Sequence, residues 1–110
     1  MNTKIQFTYK DVPYTLEYNR NAIQTIESQG FNFNDFKSAP LTNVTLAFYG
    51  SFIKNHRNTS QKLIDEIYDG MTDKSGLIET LTTMIAECYN TLLDDNKSGN
   101  ITWSTVSPTK

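Results

Sequence analysis

LTNVTLAFYGSFIKNH, residues 41–56, carries the densest apolar pattern in the chain, and its reading decides how the rest is arranged. At about 100° per residue, Leu41, Val44, Phe48 and Phe52 fall on one helical stripe, and Leu46, Tyr49 and Ile53 fall on a second beside it. Together they span an arc of roughly 200°. A surface helix needs one apolar face, so a helix apolar over this arc must be covered from more than one side. The stretch is therefore predicted to be the central core helix. Pro40 pre-sets its first turn, and the polar run from Asn55 to Thr59 ends it. Gly50 inside it is expected where a neighbouring element comes close, because glycine otherwise costs about 1 kcal/mol against alanine in a helix.

Upstream, the period changes from helical to alternating. Ile5, Phe7 and Tyr9 alternate with Lys4, Gln6 and Thr8, then Val12, Tyr14, Leu16 and Tyr18 alternate with Pro13, Thr15 and Glu17. Lys10 and Asp11 form a short polar turn between the runs, so residues 1–18 read as a β-hairpin. Pro13 cannot donate a ladder hydrogen bond and belongs where its strand faces outward. An isolated hairpin is marginal in water, so its apolar face must lie on a helix or on another chain. Asn19 is a suitable N-cap for a short helix with Ala22, Ile23 and Ile26 on its inner side, and Gly30 is a suitable stop. Phe31, Phe33 and Phe36 then alternate with polar residues on a loop or single helical turn, where such aromatics plug a small core or offer a binding surface.

Downstream, Thr59 or Ser60 caps a helix whose inner face is Leu63, Ile64, Ile67 and Tyr68, and which ends near Gly70. Asp73 or Ser75 starts the last long helix, with Leu77, Leu81, Met84, Ile85, Cys88 and Leu92 on one stripe. Beyond Asp95 the chain is turn-like, and Ile101, Thr102 and Trp103 are extended, either as a third strand beside the hairpin or as a tail. The predicted fold is α+β: an N-terminal β-hairpin packed on a mainly helical bundle of about four helices, with a short C-terminal strand as an option. One domain spans 1–110, with the hairpin in 1–18, the helices in 20–95 and the C-terminal tail in 96–110.

Composition narrows function by exclusion. With 10 basic and 12 acidic residues, the formal charge of -2 gives no electrostatic reason to bind nucleic acid or an anionic membrane. The helix pair flanking residues 70–74 could pass for a helix-turn-helix, but its second helix carries Glu79 and Glu87 and has no lysine or arginine after Lys74. No secretory signal precedes the hairpin, and the apolar stretch is too interrupted to span a membrane. The single cysteine, Cys88, fits a reducing compartment and reads as a buried small hydrophobe. His56 reads as a solvated histidine near a helix end, and with Cys88 it falls short of the four ligands of a structural zinc site. Asp65, Glu66 and Asp69 occupy polar helix positions where a general acid–base pair would lack the burial it needs. No phosphate-binding, zinc-protease, esterase or calcium-loop motif is present, so neither a cofactor nor an enzymatic activity is expected.

Several blocks, in order, resemble a family of small tail proteins from siphophages of Gram-positive bacteria, the phage tail assembly chaperones. They are IQFTY (5–9) with YTLEYNR (14–20), ESQGF (27–31), FYGSF (48–52), IDEIY (64–68), KSGLI (74–78) and GNITW (99–103). The resemblance implies a non-catalytic role in the bacterial host cytoplasm: binding the long, helical tape-measure protein until tail-tube subunits replace the chaperone. It makes the tape-measure protein the expected partner, allows the major tail protein as a second, and leaves self-association open. Many members of that family also exist as a longer form made by ribosomal frameshifting, of which this sequence would be the short form. The alternative reading is a structural tail or head-tail connector component retained in the virion. Masking an apolar client needs accessible apolar surface, and Phe31, Phe33, Phe36 and Trp103 are the candidates because they lie outside the periodic helices.

Overall fold

Lys10 and Asp11 both lie at positive φ, 49° and 66°, as a two-residue turn of the primed type requires. In the computed structural model, which describes residues 3–34, 39–93 and 101–106, this turn joins β1 (Ile5–Tyr9) to β2 (Val12–Leu16) in an antiparallel pair. The register sets Ile5 against Leu16, Phe7 against Tyr14 and Tyr9 against Val12. In such a hairpin the pair flanking the turn is hydrogen-bonded and the next is not. Pro13, opposite Thr8, therefore occupies a position whose missing N–H would have pointed outward. Tyr14 and Leu16 are buried, whereas Val12 beside the turn is exposed, so the inner face is covered only away from the tip.

Four helices follow among the described residues: α1 (Arg20–Ser28), α2 (Pro40–Gly50), α3 (Gln61–Gly70) and α4 (Lys74–Leu93). The Asn19 side chain accepts the Ala22 N–H and starts α1. At the other end the Gly30 N–H reaches Glu27 O and the Phe31 N–H reaches Ile26 O, a Schellman closure. Its αL residue is Gly30, at φ 107°, a conformation that any side chain would disfavour. Ser60 caps α3 by accepting the Leu63 N–H, and Asp73 caps α4 by accepting the Gly76 N–H.

The central helix is where the sequence placed it, though shorter. α2 packs against α1, α3 and α4, and the buried cluster around Phe48 and Phe52 draws on β2 and all four helices, with the half-buried Ile5, Phe7 and Tyr9 of β1 packed against it. The helix stops at Gly50, however, and 51–55 are turns that keep Phe52 and Ile53 buried. The reason lies in the hydrogen bonds. Phe52 N–H and Ile53 N–H bond three residues back, to Tyr49 O and Gly50 O, while Ser51 O accepts the Glu17 N–H of the hairpin. Ser51 is fully buried and its hydroxyl donates to Phe48 O at 2.6 Å. A second correction concerns Leu41, which is 78% exposed on the first turn, while Asn43 is buried there and accepts the Asn32 N–H. The expected option of a C-terminal strand is not taken by residues 101–106: among the described residues the sheet has two strands, and 101–106 have no regular structure and are exposed.

Two polar contacts fasten the hairpin, one to the turns after α2 and one to α3. The Glu17 carboxylate accepts Asn55 Nδ2 at 2.8 Å and Lys54 Nζ at 3.1 Å. The Asn55 hydrogen bond, followed by Lys54, holds it below the usual carboxylate range. Glu66 on α3 is lowered in the same direction, first by the Tyr9 hydroxyl and then by Lys10. A carboxylate lowered in the folded state stabilises above its unfolded value, near 4.3, and that contribution disappears as pH falls through the folded value. Thermal melts should therefore show the melting temperature dropping as pH is taken below about 4.3. Glu17→Gln should melt lower at neutral pH and show a shallower acid dependence; an unchanged acid slope would refute the Glu17 contact.

Candidate functional site

The Schellman closure of α1 turns the chain so that Phe31 points inward, 5% exposed, and Phe33 follows half-buried on the surface. The Asn32 side chain accepts the Asn34 N–H at 3.0 Å, a local turn that fixes the Phe33 backbone. Across from this loop runs the last third of α4. Phe33 and Tyr89 meet with ring centroids 5.7 Å apart and planes tilted by 52°. The Tyr89 hydroxyl donates to Glu27 Oε2 on α1 at 2.6 Å, which holds that ring as a fixed wall. Burial and then the Glu27 hydrogen bond push the Tyr89 phenol above its ordinary value, so it stays a neutral donor at physiological pH.

The result is a cleft of about 520 Å³ lined by Glu27, Phe31, Phe33, Ala86, Tyr89, Asn90 and Leu93, together with Asn32 and Asn34. Leu93, 78% exposed, extends its apolar lining to the surface at the end of α4. Aromatic walls with a few polar groups on the rim suit an apolar side chain or a helix face better than a charged small molecule.

Of the four aromatics expected to bind a client, two come together here. Phe31 is the floor and Phe33 is a wall. Phe36 lies outside the described residues. Trp103 is 84% exposed and is no part of the cleft lining. Tyr89 and Leu93 were not among the expected site residues; each directly follows a residue of the α4 stripe, Cys88 and Leu92.

Chemically reactive side chains are engaged elsewhere. His56 is not a solvated helix-end residue: its Nε2 accepts the Thr15 N–H at 3.0 Å, and its ring lies 4.9 Å from Tyr14. Cys88 is buried on α4, and that burial pushes its thiol up, toward the protonated and unreactive form. Among the described residues no three His, Cys, Asp or Glu side chains converge as a metal-binding group. No helix there is long and apolar enough to cross a membrane.

The fold and the cleft define a small α+β domain, a two-stranded hairpin clamped on four helices with an aromatic hollow beside the longest. The chain belongs to the DUF5055 family, a domain of unknown function whose model matches residues 1–107. No curated protein and no solved structure matches it.

Proposed function

We propose that this chain is a non-catalytic phage tail assembly chaperone that holds the tape-measure protein in the bacterial host cytoplasm until tail-tube subunits take its place. The observation that carries the reading is the open aromatic cleft of Phe31, Phe33, Tyr89 and Leu93. A long helical client presents apolar side chains at helical spacing, and a groove with aromatic walls can take one or two of them per contact. Repetition of such weak contacts along one client supplies avidity. The order of sequence blocks resembling tail assembly chaperones supports the same role.

Co-expression with the tape-measure protein is the test. The client should stay soluble and co-purify with this chain. Phe33→Ala should weaken the association about tenfold or more, the effect of losing an interface anchor, while Gln24→Ala on the exposed face of α1 should leave it unchanged. A tape-measure protein equally insoluble with and without this chain would defeat the proposal. Stoichiometric presence in purified virions would favour the structural component instead.

A further inference from the structure

The two edges of the hairpin are treated differently. On β2 the outward backbone groups belong to Pro13, Thr15 and Glu17, the residues at non-hydrogen-bonded positions and their continuation. Pro13 has no N–H to offer. The Thr15 N–H is taken by His56 Nε2 and its carbonyl by Asn55 Nδ2 at 3.1 Å, and the Glu17 N–H is taken by Ser51 O. That edge offers no free N–H. On β1 the outward positions are Gln6 and Thr8, with Lys4 just before; all three are exposed, and their backbone groups meet no partner among the described residues. Proteins rarely leave such an edge open without a use or a guard.

Beside that edge lies a groove of about 320 Å³ lined by Ile5 of β1, Met71, and Gly76, Leu77 and Thr80 of α4. The same chain carries a segment shaped to fill it. Residues 101–106, ITWSTV, consist of strand-favouring residues and serine, and Ile101, Trp103 and Val106 are 85%, 84% and 89% exposed. Ile101 and Trp103 share one side of an extended segment, while Thr102 and Ser104 share the other. This matches β1, where Ile5 and Phe7 turn inward and Gln6 and Thr8 turn to solvent.

We infer that residues 101–106 of one copy pair along the free β1 edge of a second copy, setting Ile101 and Trp103 into the groove beside Ile5 and Leu77. The exposure of the segment places it off its own edge, and every copy supplies one arm and one edge. Reciprocal exchange therefore closes into a two-fold pair. The pairing uses a different surface from the aromatic cleft and stands or falls apart from the chaperone role.

Trp103 is the sole tryptophan, so its fluorescence reports the arm directly. The full chain should sediment as a dimer at high concentration, with Trp103 emission shifting to the blue as the dimer forms and back to the red on dilution. A chain ending at Asn100 should be monomeric with an unchanged thermal melt. Gln6→Pro should be monomeric too, because it removes an outward N–H; Thr8→Pro serves if the first variant fails to fold. A monomer at every concentration would overturn the inference, as would a dimer that survives either change. A blue-shifted Trp103 in a monomer would also overturn it, since the arm would then lie on its own body.

Discussion

Phe48→Ala should lower the unfolding free energy by about 3–5 kcal/mol, the range for truncating a fully buried phenylalanine. Phe48 is 1% exposed, and its ring lies 5.2 Å from that of Phe52 and 5.3 Å from that of Tyr68, both edge-on. Removing it empties the point where α2, the turn after it and α3 meet. Neither neighbouring ring can fill the space without losing its own contacts, since Phe52 also packs on Tyr14 of the hairpin. Domains of this kind are stable by only about 5–15 kcal/mol, so the variant should be partly unfolded at modest urea. Leu41→Ala is the matched comparison. Leu41 shares the sequence stripe with Phe48 but is exposed, and its loss should stay within about 0.5 kcal/mol. Urea unfolding of both variants decides the matter: similar midpoints would mean that the buried face of α2 is not the one described.

That contrast marks how far periodicity could be read. The hairpin, its turn at Lys10 and Asp11, the caps Asn19 and Ser60, and the inner faces of α1, α3 and α4 were legible, because each rests on local chemistry within a few residues. The length of α2 was not. Residues 51–56 keep an apolar helical period, yet their backbone is drawn into turns by a partner 34 residues away, the Glu17 N–H on Ser51 O. A similar long-range contact displaced His56, whose partner is the Thr15 N–H. At the cleft, the alternation of Phe31 and Phe33 signalled an aromatic surface, but which ring went inward depended on the Schellman closure at Gly30. Tyr89 and Leu93 became site residues only through the approach of α1 and its loop to α4, which no local pattern encodes.

Gly50→Val should destabilise the protein by about 3 kcal/mol and Gly50→Ala by about 1–2 kcal/mol, although helix propensity alone favours alanine by nearly 1 kcal/mol. A Cβ at Gly50 would lie 2.7 Å from Ile26 Cγ2, 3.3 Å from Ile26 Cδ1 and 3.5 Å from Tyr18 Cε1. Ile26 is fully buried and β-branched, so its Cγ2 is not the free end of a flexible chain. Tyr18 is tied down as well, its hydroxyl donating to Ala47 O at 2.5 Å in the same helix. With both neighbours held, α1 must move off α2, and overpacking outweighs propensity. The sign should reverse once the obstruction is gone. In an Ile26→Ala background, itself destabilised by the loss of a buried isoleucine, adding Gly50→Ala should raise stability rather than lower it. The double-mutant cycle would then show a favourable coupling of about 1–3 kcal/mol. A cycle that closes at zero would mean the clash is relieved by other means, and that close approach of α1 is not why residue 50 is glycine.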